Sequence, residues 1–100
     1  MTLENKKSVA RFYAKVLEDM HRRPIKLPDT GQLNVPAIEM LDHCLYMCYE
    51  IDKFLDQGRI DKADRWIGFI QGVFAAYNMY SIKEMAHHNR AGAAAAVGVE

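Results

Sequence analysis

Apolar residues recur along the chain at helical spacing. From Val9 they run Val9, Phe12, Tyr13, Val16, Leu17 and Met20, the i, i+3, i+4 pattern that lines one stripe of an amphipathic helix. This predicts a first helix over about residues 3 to 22. It is expected to stop before Pro24, because the residue ahead of a proline is pushed away from helical angles. Residues 23 to 31, with Pro24, Pro28 and Gly31, read as a loop. Asn34 is a candidate cap for a second helix with Pro36 in its first turn, running to about Gln57. On a helical wheel Met40, Leu41, Cys44, Leu45, Met47, Cys48, Ile51, Phe54 and Leu55 fill about half of its circumference. A face that wide is expected to touch two neighbours. Gly58 suits the left-handed position past its end, and Asp61 with Asp64 resembles the start of a third helix over about 62 to 78.

The third helix has two contrasting sides. Ala63, Trp66, Ile67, Ile70, Val73, Phe74 and Tyr77 form a bulky stripe, whereas Gly68, Gly72, Ala75 and Ala76 leave the other side nearly bare. Two interior glycines cost about 1 kcal/mol each relative to alanine, so a closely approaching backbone is expected to offset them. The expectation is a central third helix packed on both sides, with Gly68, Gly72, Ala75 and Ala76 meeting a second copy of the chain. Ser81 and Glu84 have capping-box spacing and predict a short fourth helix from near Ile82 to about Asn89. The alanine-rich stretch 91–100 has no face to bury and is expected to be a flexible tail. The pattern is therefore all-α: a small bundle of three long helices and a short C-terminal one, forming one domain over residues 1–90.

Thirteen basic and thirteen acidic side chains cancel, which argues against a general nucleic-acid binder. The distribution is uneven. Residues 1–26 hold seven Lys/Arg against three Asp/Glu, and residues 27–58 hold one against six, so the two segments are suited to pair within the fold or between subunits. No apolar run approaches the roughly 18 to 20 residues that span a bilayer, and no apolar signal core follows the polar start. With two cysteines inside a helical pattern, a reducing cytoplasm is the expected location and no membrane is expected as partner.

Candidate chemistry is sparse. His43, Cys44 and Cys48, with His87 and His88, are the side chains that invite a zinc reading, but Cys44 and Cys48 fall mid-arc, where free cysteine behaves as a small hydrophobe. A cysteine nucleophile would need a histidine beside it, and His43 points about 100° away from Cys44 around the helix. Asp52 and Asp56 share a face but read as a solvated acidic one. No metal, cofactor or catalytic residue is expected. The candidate contact residues are Arg22, Arg23 and Lys26 in the first loop, Arg65 before Trp66, and His87, His88 and Arg90 near the end, since loops and helix ends carry function more often than core does.

Residues 62–73, Lys-Ala-Asp-Arg-Trp-Ile-Gly-Phe-Ile-Gln-Gly-Val, followed by Tyr80-Ser81-Ile82-Lys83-Glu84-Met85 and His88-Asn89-Arg90, resemble a C-terminal module of small phage and prophage proteins. The likeness spans about residues 40 to 90, including Leu45-Tyr46-Met47-Cys48 and Phe54-Leu55. It implies a phage or prophage origin and a place in the host bacterial cytoplasm, with no catalytic residues to carry over. The leading expectation is a non-enzymatic accessory protein that binds a host or phage protein and forms a homodimer through the third helix or the wide face of the second. The alternatives are a nucleic-acid-associated regulator using the basic first helix and its loop, and a small-ligand binder or enzyme working through His87, His88 and Arg65.

Overall fold

The computed structural model describes residues 1–29 and 34–91, and among them the regular elements are all α-helices, with no strand. The helices are α1 (Leu3–Asp19), α2 (Ala37–Asp56), α3 (Ile60–Ala76) and α4 (Ile82–Ala91), of 17, 20, 17 and 10 residues. Apart from Ala91, which closes α4, the predicted tail lies outside the described residues, as do Thr30 and Gly31 of the predicted loop.

Local chemistry sets most helix ends. Thr2 caps α1, its hydroxyl accepting the Asn5 N–H at 3.1 Å. Ser81 and Glu84 form the expected reciprocal box at α4: the Glu84 N–H donates to Ser81 Oγ at 3.0 Å and the Ser81 N–H to Glu84 Oε1 at 2.8 Å. The first three helices end alike, with a left-handed residue whose successor donates back to the last full turn. Gly58 (φ 75) is followed by Arg59 N–H to Phe54 O at 2.8 Å, Asn78 (φ 57) by Met79 N–H to Phe74 O at 2.8 Å, and His21 (φ 60) by Arg22 N–H to Leu17 O at 3.0 Å. α1 therefore stops three residues before the predicted end, at this His21 turn rather than at Pro24. A histidine held in the left-handed region is strained relative to glycine. His21→Gly is expected to raise stability by about 1 kcal/mol, read as a shift in the urea unfolding midpoint without a change in slope.

Two predicted starts are corrected. α2 begins at Ala37, with Pro36 rather than Asn34 at the cap position and no side-chain cap; the Pro36 carbonyl accepts the Met40 N–H at 3.0 Å. α3 begins at Ile60, so Asp61 lies inside the first turn instead of capping it. Asp64 is drawn to another helix, pairing with Lys6 at 2.9 Å.

The core joins Val9, Tyr13 and Leu17 of α1 to Leu45, Cys48 and Ile51 of α2 and to Ala63, Ile67, Ile70 and Phe74 of α3. α1 packs against each of the other three helices, and α2 packs against both α1 and α3 as its wide apolar face requires. Within one chain the central position thus falls to α1 and not to α3. Among the described residues α3 buries one stripe, and its glycine side faces outward: a Cβ added at Gly68 or Gly72 would meet none of them within 4 Å. The opposite-signed segments pair within the fold, through Lys7–Asp56 at 2.6 Å, Arg11–Asp52 at 3.2 Å and Arg22–Asp42 at 3.6 Å.

Candidate functional site

The candidate contact residues divide between the two ends of α1. At its C-terminal end Arg22, Arg23 and Lys26 belong to a segment docked on α2. At its N-terminal end the Arg90 carbonyl accepts from Asn5 Nδ2 at 3.2 Å, with exposed His87 on the same helix, α4. A 17-residue helix separates the groups by about 25 Å, so they form no common surface. Arg65 is exposed on the outward side of α3, beside a shallow cleft of about 400 Å³ lined by Arg59, Asp61 and Lys62.

His88 is corrected from a surface contact to a core residue. It is only 6% exposed, its Nδ1 lies 2.9 Å from Tyr13 Oη, and its ring meets Phe12 and Tyr80 at 5.3 and 5.0 Å. Gln71 Nε2 donates to the same hydroxyl at 3.1 Å and to Asn89 Oδ1 at 2.7 Å. These four polar side chains tie α1, α3 and α4 together. Burial pushes the Tyr13 phenol up to about 12, which keeps it protonated and able to hold this network at neutral pH. Gln71 was the legible sign of such a network, a polar residue one step from the bulky stripe of α3; Tyr13 lies on an apolar stripe and gave none.

The residues considered for chemistry are placed against it. Cys44 and Cys48 are buried, and burial pushes the Cys44 thiol up to about 12 and Cys48 higher still, far from a thiolate nucleophile. Among the described residues no three His, Cys, Asp or Glu side chains are grouped to hold a metal ion. Asp52 and Asp56 are taken up by Arg11 and Lys7. A groove of about 500 Å³ between α1 and α2 has Ala10, Ala14 and Cys48 on its floor and a rim of mixed charge, including Arg11, Lys15, Asp52 and Lys53. No described helix is long and apolar enough to cross a membrane.

Among the described residues, what stays open is the outward side of α3 and its junction with α4. Gly68, Gly72 and Ala76 are exposed, Phe69 is 45% exposed, and Tyr77 lies uncovered at the helix end. Beside them a groove of about 310 Å³ runs between the helices, lined by Gln71, Gly72, Ala75, Ile82, Met85 and Asn89, with Ile82 78% exposed at its margin. Compared with known proteins, the chain matches no family model, no curated protein and no solved structure.

Proposed function

We propose that this protein is a non-enzymatic accessory protein of a phage or prophage, acting in the host cytoplasm by binding another protein and working as a pair of chains joined through the outward side of α3. The observation that carries the interaction reading is the glycine side itself. Gly68 and Gly72 weaken α3, among the described residues nothing lies within 4 Å of a Cβ added at either, and apolar Phe69, Tyr77 and Ile82 flank them. A helix approaching there can come closer than any larger residue would allow. The phage or prophage attribution rests on the resemblance of residues 40–90.

This reading separates stability from function. Since the space is open, Gly68→Ala and Gly72→Ala are each expected to stabilise the isolated chain by about 1 kcal/mol in urea unfolding at concentrations too low for pairing. The same changes are expected to weaken association.

The nucleic-acid reading ranks second because Lys6, Lys7, Arg11 and Arg22 are already engaged by carboxylates of the fold. The deciding experiment is capture from bacterial lysate with tagged wild type, Gly68→Glu/Gly72→Glu and Arg23→Ala/Lys26→Ala. A stoichiometric protein that survives nuclease and is lost with the glutamates supports the interaction reading. Nuclease-sensitive recovery lost in the loop variant overturns it in favour of nucleic acid.

A further inference from the structure

The segment after α1 is held to α2 in a regular way. Arg23, Ile25 and Leu27 alternate along an extended stretch, and the amide of each points at α2: Arg23 N–H donates to Asp42 Oδ1 at 3.2 Å, Ile25 N–H to the Asp42 carbonyl at 3.3 Å and Leu27 N–H to His43 Nδ1 at 3.1 Å. Arg22 adds an ion pair to Asp42 at 3.6 Å. Pro24, which has no N–H, occupies an intervening position.

The third bond differs from the first two. A backbone amide can only donate, so His43 must accept with a bare Nδ1 and carry its proton on Nε2. An imidazolium has protons on both nitrogens and cannot accept. We propose that the Arg22–Leu27 segment is a proton-released strap: protonation of His43 breaks its bond to the Leu27 amide and lifts that end from α2, while Asp42 keeps hold of the Arg23 end. The ring that would be uncovered stacks on Tyr46 at 5.8 Å and meets the exposed Phe69 of α3 edge-on at 6.3 Å. Phe69 flanks the glycine side of α3, so the strap borders that surface without depending on what binds there.

The groups facing His43 agree with this direction. Burial lowers its pKa from the ordinary 6.5, Lys26 of the strap lowers it further, and Asp29 opposes them. From α2 the facing titratable group is Tyr46, and from α3 the facing ring is the uncharged Phe69. Because the folded value is depressed, the strap's contribution is fully present above pH 6.5 and is lost as pH falls through the folded value.

The test is a nuclear magnetic resonance titration of the intact chain from about pH 8 to about pH 5, following the His43 ring nitrogens and the exchange protection of the Leu27 and Ile25 amides. The expected result is a neutral Nε2–H ring at the upper end and a loss of Leu27 protection of about tenfold as His43 titrates, with Ile25 unchanged. His43→Asn keeps an acceptor oxygen near the Nδ1 position but does not titrate, so Leu27 should hold its protection across the range. A neutral ring protonated on Nδ1, or Leu27 protection that ignores the His43 titration, would overturn the proposal. A fall that persists unchanged in His43→Asn would do the same.

Discussion

Replacing Tyr13 by alanine is expected to cost about 4 kcal/mol of folding stability, a large part of the 5 to 15 kcal/mol that holds an ordinary domain together. Two losses combine. The ring is fully buried and packs edge-on against Phe74 at 5.0 Å, so its removal leaves a cavity where α1 meets α3. The hydroxyl also joins His88 and Gln71, and both lose that partner inside the protein. Tyr13→Phe separates the terms. It keeps the packing and removes only the oxygen, with an expected cost of about 1 to 3 kcal/mol. Urea unfolding of the two variants measures both, and near-equal costs would mean that the hydroxyl, not the ring, dominates.

Asp42→Ala is expected to be the next most damaging change, at about 2 to 3 kcal/mol. Its carboxylate is nearly buried and receives both the Arg23 amide and the Arg22 guanidinium, which would be left partly buried without their acceptor. Asp42→Asn keeps an oxygen for the amide and should recover about half of the loss, since the ion pair alone is gone. Hydrogen exchange gives a second readout. In Asp42→Ala the Arg23 amide should lose its protection while the middle of α2 keeps it, and uniform loss throughout α2 would contradict a local role.

The pattern of apolar positions was enough to place the first three helices, because each buries a stripe whose period is visible in the sequence, and the fourth was placed by its capping box. Ends were legible where a residue carries its own signal: Ser81 with Glu84, and Gly58. They were not legible where the signal is weak. His21 ends α1 in a conformation that histidine seldom adopts, so it gave no warning, and Asn34 has cap chemistry that α2 does not use. The glycine side of α3 was visible as composition, but a wheel cannot tell a helix packed on both sides from one left open. That distinction depends on α1 taking the central position.

The candidate contact residues were harder still, for a physical reason. His88 looks identical on paper to its exposed neighbour His87, and one step around α4 turns the first into the Tyr13 pocket and the second to solvent. Asp42 and His43 gave no sign of holding the segment after α1, because they hold it mainly through backbone amides, which every residue type but proline supplies.

The most direct test of the proposed association is the solution mass of the wild-type chain at micromolar concentration by light scattering, beside that of Gly68→Glu/Gly72→Glu. Among the described residues nothing lies within 4 Å of a Cβ added at either position, so the variant should fold at least as well as the wild type and a change in mass reports association. The expected result is the mass of two chains for the wild type and of one chain, 11.4 kDa, for the variant. A one-chain mass for the wild type, or a two-chain mass that the glutamates leave intact, would contradict pairing through the outward side of α3.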